Sequence, residues 1–518
     1  MKDTSRWPAG PVSPGDEPRG GSGLGRAAVG GASWESLSFL LTKLATLVAT
    51  IVLARLLTPE DFGVVALALV FITYAEVITD LGVSQALIFL PPNRRSNDGA
   101  LAMAVAWGTL LAGAVAFTAP AVARFFGQGS ITPMIRVLAL SLLFGALGDV
   151  PDALLRKHLR FRRRVAATVT RAVTRGVLSI ALAVLGFGAW SIIWGYVASQ
   201  LAWAVACWLL VDHRPDPRFW RLDRRVLRPL LGFGLPAAGN ALLLAVIFNV
   251  DYLIVGERLG AEPLGYYTVA YRIPEMIILQ ALWVVSAVSF PLYSIAKDDP
   301  GLLRHGYLTG LRMISFYGIA TGVGIAVVAP MLVPALFGAK WVPSVAALQA
   351  IALYAVFATL AKNAMDLYKG IGRPGLAVAL SLVRLVVVVP ALLLGASVAG
   401  ITGVAWAHAG SSLAVALLLQ GIAISLLGIP WRRWASAFVP ALAVGAGVAL
   451  GAGAVRLWLP GSDWLRLGVA TGAAAIAGLG AVALIDRRFI GEARSLLLSP
   501  LRGRRAEEGA PTPAPAAR

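Results

Sequence analysis

Apolar residues gather into fourteen stretches between residues 32 and 486, separated by short polar connections. About 20 apolar residues in a row suffice for one helix to cross a bilayer, so each stretch is a candidate span. They lie near 32–54, 62–90, 99–123, 131–153, 165–186, 189–211, 230–257, 264–296, 306–336, 343–368, 375–396, 401–428, 435–455 and 467–486. The longest are expected to tilt or to run past the hydrocarbon. The pattern predicts an all-α integral membrane protein with 14 transmembrane helices. A hydrophobic fraction of 58% and a mean hydropathy of +0.77 exclude an ordinary soluble enzyme.

Charge adds an orientation to this pattern. In the alternate connections and tails that include both chain ends there are 31 Lys and Arg residues, against 6 in the remaining connections and 8 inside the spans. By the positive-inside rule the richer side is cytoplasmic, which places both termini there and demands an even number of crossings. The net charge of +19 therefore reports topology, not nucleic-acid binding. Two basic loops, Arg156 to Arg164 and Arg214 to Arg228, fix orientation and touch lipid phosphates, and they could also receive a partner enzyme. Cys207, the only cysteine, falls in an apolar stretch and is expected to pack.

An internal repeat organises the chain. Arg164, Arg175 and Gly186 are spaced eleven apart, and Arg373, Arg384 and Gly395 repeat that spacing 209 residues later. The connection Arg55-Leu56-Leu57-Thr58-Pro59-Glu60-Asp61-Phe62-Gly63 is matched by Arg258-Leu259-Gly260-Ala261-Glu262-Pro263-Leu264-Gly265 with one residue deleted. Six spans separate the copies, so the halves share one orientation and are related by an axis along the membrane normal. The expected domains are a disordered cytoplasmic tail (1–31), an N-terminal six-helix bundle (32–211), a basic cytoplasmic linker (212–229), a C-terminal six-helix bundle (230–428), two further helices (435–486) and a second disordered tail (487–518). Residues 1–31 are rich in Gly, Pro and charge with no apolar core, unlike a cleaved signal peptide.

No catalytic constellation is visible. There is no phosphate-cradling Gly-rich loop, the four histidines are scattered, and no cofactor is expected. The candidate chemistry lies in charges kept inside spans, where a cation costs about 2.5 kcal/mol or more. Lys43, Arg272 and Arg384 sit too deep for easy snorkelling, and Arg175 is the repeat partner of Arg384; these four are the expected anion-binding residues. Glu76 and Asp80, one turn apart, with Asp251 and Glu275, are the expected counter-ions or ion-coupling acids. Arg272 and Glu275 bracket Pro274, which can loosen the helix there. Lys362 and Asp366, also one turn apart, read as a self-neutralising pair.

The opening Ala54-Arg55-Leu56-Leu57-Thr58-Pro59-Glu60-Asp61-Phe62-Gly63, followed by an apolar span and Asp80-Leu81-Gly82, resembles the start of the Wzx-type polysaccharide transporters of the multidrug/oligosaccharidyl-lipid/polysaccharide superfamily, in the branch that serves lipopolysaccharide and exopolysaccharide biosynthesis. The resemblance runs over about 27–490 and includes the 6+6+2 span count. It implies a flippase, not an enzyme, that moves a polyprenyl-diphosphate-linked oligosaccharide across the bacterial inner membrane. It also implies a cavity lined by spans one, two, seven and eight, which carry Lys43, Glu76, Asp80, Asp251 and Arg272. Implied partners are the lipid-linked sugar, membrane lipids, and a polysaccharide polymerase or glycosyltransferases, with no nucleic acid. Two alternatives stay open: a drug or cation antiporter of the same superfamily, which would want an acidic cavity, and an integral-membrane polymerase or glycosyltransferase, which would want a substantial outward loop.

Overall fold

The computed structural model describes residues 21–80, 82–89, 94–216 and 224–485. The tail residues 1–20 and 487–518, residues 217–223 of the 212–229 linker and the Asp80 side chain lie outside the described residues. Among those described there are helices and no strands, and eleven helical segments are long and apolar enough to cross a membrane. The chain is a multi-pass membrane protein. It divides into two compact units, Met1–Thr268 and Val269–Arg518.

The first unit holds α1 (Gly21–Leu56), α2 (Pro59–Asp80), α3 (Val83–Phe89), α4 (Arg94–Phe125), α5 (Ile131–Lys157), α6 (Phe161–Val184), α7 (Ala189–Leu210), α8 (Arg224–Leu259) and the start of α9 (Ala261–Pro274). α1 begins at Gly21, inside the segment read as a tail. Small residues let these helices close on one another: Gly148 lies against the Trp203 ring, and Cys207 is fully buried beside Ala167 and Trp203. The loop before α2 is fixed by a reciprocal cap. Thr58 N–H and its hydroxyl donate to Asp61 Oδ2 at 2.9 and 2.8 Å, and Asp61 N–H donates back to Thr58 Oγ at 3.2 Å. Asp61 Oδ1 then accepts from the backbone N–H of Ala189 at 3.1 Å, tying the start of α2 to the start of α7.

In the second unit α9 ends at Pro274 and the chain passes through a π turn, Glu275–Leu279, into α10 (Ala281–Ala296). Proline lacks the N–H that would continue the ladder and crowds the carbonyl four residues back, so a single straight span over 264–296 does not form. There follow α11 (Pro300–Phe337), a 3-10 turn (Ala339–Ser344), α12 (Val345–Gly370), α13 (Pro374–Leu427), the short α14 (Trp431–Ser436), α15 (Val439–Trp458) and α16 (Asp463–Ile485). α13 is two helices joined at Ala399 and Gly400, where the backbone leaves helical geometry. Gly395 and Gly403 approach backbone to backbone across that break, so the two apolar stretches expected at 375–396 and 401–428 double back as a hairpin. Gln420, buried in the core of this unit, is bonded at both ends of its amide. Gln420 donates to the Leu360 carbonyl at 2.8 Å and its Oε1 accepts from Tyr307 at 2.6 Å and from Trp434 Nε1 at 3.0 Å.

Turn geometry sets the register of the repeat. The residue before α7, Gly188 (φ 52, ψ −135), has its twin in Gly400 (φ 55, ψ −138), and the left-handed Leu159 (φ 55) before α6 has its twin in Gly372 (φ 77) before α13. These pairs are 212 and 213 residues apart, one helical turn more than the 209 of the arginine spacing. The structural counterpart of Arg384 is therefore Arg171, and Arg175 lies one turn further along the same helix face. A regular arginine spacing on a helix can match at several turns, whereas a turn matches at one.

Candidate substrate and ion sites

In the first unit the chemistry gathers on Glu76. α7 presents Tyr196 and Gln200 one turn apart, and both side chains donate to the same carboxylate oxygen, Glu76 Oε1, at 2.5 and 3.0 Å. Tyr196 is 7% and Gln200 3% exposed, so the acid is held by neutral donors in a nearly dry wall. The two α6 arginines stack on aromatic faces, Arg171 at 5.2 Å from the Trp203 ring centre and Arg175 at 4.8 Å from that of Tyr196. Beside them opens a cavity of about 240 Å³ lined by Glu76, Thr79, Asp149, Arg171, Gln200 and Trp203. The Oε1 of Gln200 has no hydrogen-bond partner among the described residues. A buried acceptor of that kind is costly unless a donor or cation reaches it, and a polar cavity of this size has room for water or a small ion.

Asp251, fully buried on α8, is a separate centre. Its Oδ2 accepts from Tyr267 at 2.8 Å, and Tyr252 and Tyr267 pack edge to face at 5.6 Å. Lys43 on α1 is half-buried, with its ammonium 5.6 Å from the Phe39 ring centre.

The second unit holds its charges differently. Lys362 and Asp366 pair at 2.5 Å as their spacing predicts, and Ser286 on α10 bridges them, donating to Asp366 Oδ2 at 2.6 Å and accepting from the lysine. Arg272, at the end of α9, meets Glu275 of the π turn at 3.5 Å, with side chains 30% and 35% exposed. This pair is long and part-open, so the guanidinium keeps donors available. Arg384, half-buried, lies near the fully buried His408, whose ring stacks at 3.9 Å on Tyr354; Tyr354 in turn meets Tyr271, the neighbour of Arg272, at 3.2 Å between hydroxyls.

The expected residues thus fall into separate groups. Glu76 shares a cluster with Arg175, Arg272 pairs with Glu275, Asp251 is bound to Tyr267, and Arg384 joins an aromatic and imidazole wall. Sequence reading missed Tyr196, Gln200, Ser286 and Trp203. The signal for the first two was present as polar residues one turn apart in an otherwise apolar span; Ser286 carried none, since a serine in a membrane helix usually bonds its own backbone.

Comparison with known proteins agrees with this architecture. A family model described as "Polysaccharide biosynthesis protein" matches residues 52–346. The chain is 24% identical over 340 residues to the teichuronic acid biosynthesis protein TuaB of Bacillus subtilis (strain 168), covering 64% of this chain and 68% of TuaB. It is 22% identical over 400 residues to the lipopolysaccharide biosynthesis protein WzxC of Escherichia coli (strain K12), covering 74% and 77% of the two chains. Among solved structures it resembles the lipid II flippase MurJ in an inward closed conformation, with TM-score 0.70 at 14% identity over 88% of this chain and 99% of that one. An inward-facing MATE-family multidrug resistance transporter matches with TM-score 0.60 at 20% identity over 75% and 94%. At these identities the two structures establish a shared fold.

Proposed function

The chain belongs to the polysaccharide biosynthesis protein family, and from that premise we propose that it flips polyprenyl-diphosphate-linked oligosaccharide repeat units across the bacterial cytoplasmic membrane. It does so by alternating access of two six-helix bundles, with fourteen crossings and both termini cytoplasmic. One observation carries this reading: Arg272 sits in the apolar α9 at a break in the helix, loosely paired to Glu275 at 3.5 Å and part-open. An arginine so placed can trade a carboxylate for a diphosphate, which also offers two acceptor oxygens to one guanidinium and carries more charge. Lys43, half-buried on α1, supplies a second cation. Arg384 and Arg175 are the further cations of the set. Glu76, with its neighbouring cavity and neutral donors, is the acid that couples transport to an ion, while Asp251 and Glu275 serve as counter-ions. The sugar occupies the hydrated path and the polyprenyl tail stays in lipid. Relatives named for teichuronic acid and lipopolysaccharide biosynthesis support a sugar-bearing substrate. The likeness to a multidrug transporter is one of fold alone.

Charge reversal tests the proposal. Cells carrying Arg272→Glu together with Lys43→Glu are expected to lose polysaccharide export and to accumulate lipid-linked sugar on the cytoplasmic face, with the protein still inserted at normal abundance. Undiminished export by an inserted double variant would remove the diphosphate-binding role.

A further inference from the structure

The repeat leaves one symmetric contact that the substrate site does not use. Gly63 is the fifth residue of α2 and Gly265 the fifth residue of α9. A Cβ on Gly63 would overlap the carbonyl oxygen of Ala261, the first residue of α9; a Cβ on Gly265 would overlap the carbonyl oxygen of Pro59, the first residue of α2. The first turns of two repeat-related helices therefore cross with each glycine against the other helix's opening carbonyl. Only glycine permits that approach, and its Cα–H is a weak donor to the facing oxygen. On the α2 side the crossing is anchored by the Thr58–Asp61 cap and by the Asp61 bond to Ala189. On the other side α9 is bounded by joints at both ends: Gly260 (φ 90) precedes it, and Pro274 with the π turn follows it. Arg272 stands at the inner end of that same helix.

We propose that this glycine crossing is the outward gate of the transport path, and that α9 opens it by turning between Gly260 and the π turn, so that release at the gate moves Arg272. The gate rests on the alternating-access reading and on the cytoplasmic placement of the basic connections, which puts the 55–61 and 258–263 connections outside. A methyl group at either glycine cannot share space with the opposing carbonyl and forces the crossing apart.

The test uses the full chain in lipid nanodiscs, with Cys207→Ala and spin labels at Ser130→Cys and Ala339→Cys, two exposed sites on outward connections. Gly63→Ala or Gly265→Ala is expected to raise the ratio of long to short label distances about tenfold, a shift of about 1.4 kcal/mol. Gly113→Ala on α4, where a Cβ meets nothing within 4 Å, should leave the ratio unchanged. Native distances in both crossing variants, or an equal shift in Gly113→Ala, overturns the gate. Should the crossing variants fail to fold, Glu60→Cys with Glu262→Cys keeps both glycines. Bridging that pair with a short bis-maleimide should cut transport of an undecaprenyl-diphosphate disaccharide probe at least about tenfold relative to the unbridged pair. Full transport when bridged overturns the gate. If neither the unbridged pair nor the native chain moves this probe, the substrate reading fails, and label distances in the bridged and unbridged pair decide the gate: the same mixture of long and short distances in both overturns it.

Discussion

Two carboxylates within spans, half-buried Glu76 in the first unit and buried Asp366 in the second, meet the same problem in opposite ways. Asp366 is 4% exposed and neutralised by the lysine of its own helix one turn back, with Ser286 donating to its other oxygen. Glu76 has no such pairing among the described salt bridges; two neutral donors from α7 hold one of its oxygens, and a cavity of about 240 Å³ lies alongside. By the turn register Lys362 stands where Asp149 stands in the first repeat, and Asp149 lines that cavity. One repeat fills the place with a lysine and becomes a closed ion pair, while the other leaves an acid facing a space that an ion or water can enter. A pair sealed within one helix contributes structure; an acid beside a polar cavity stays within reach of an ion or water.

Breaking the closed pair should have the largest effect. Lys362→Met strands the Asp366 carboxylate in a buried site and is expected to cost about 3–5 kcal/mol, read as a loss of folded protein in detergent thermal melts. Adding Asp366→Asn to the same chain should recover most of the loss, because no buried charge is then left over; a double variant as unstable as the single would mean that the pair carries something besides mutual neutralisation. Tyr196→Phe removes a hydroxyl donated to a carboxylate and is expected to destabilise by about 2 kcal/mol, visible in the same melts. Glu76→Gln should cost less, about 1 kcal/mol, since the amide oxygen still accepts from both α7 donors, yet it should abolish the dependence of export on the coupling ion gradient. An export rate in Glu76→Gln that still follows the gradient would place coupling elsewhere.

Much of this contrast was visible in the amino-acid order, and the reason it was visible is the spacing. Lys362 and Asp366 are one turn apart, so a helix alone brings them together. The span pattern and the weakness at Pro274 are likewise local and were legible. The partners of Glu76 are 120 and 124 residues away on α7, and no local period announces a contact of that range. The repeat register was misread by one turn for a related reason: arginines recur on a helix face at many offsets, while the backbone angles that fix the offset, at Gly188 and Gly400, are absent from composition. Burial depth was legible, but which wall of a bundle each cation joins was not. Arg175 lies against the Tyr196 ring and Arg272 stays loosely held, although both were read alike as anion-binding cations within spans.

The smallest effect sharpens the comparison at the basic loop after α5. Asp212, after α7, takes Arg163 at 2.7 Å and also pairs with Arg160, but its side chain is 61% exposed. Asp152, only 3% exposed at its side chain, takes Arg156 at 2.5 Å and Arg164 at 2.9 Å. Both acids therefore gather two arginines of the same basic loop and differ in burial. Water and salt already screen the Asp212 pairs, so Asp212→Asn should change stability by about 0.5 kcal/mol and the change should vanish in high salt. Asp152→Asn should cost several times more and persist in salt, because the carboxylate it removes is out of the solvent's reach. Melting both variants at low and high ionic strength separates the cases. Equal losses with equal salt dependence would show that burial does not govern charge pairing in this protein, and the contrast between Glu76 and Asp366 would lose its physical basis.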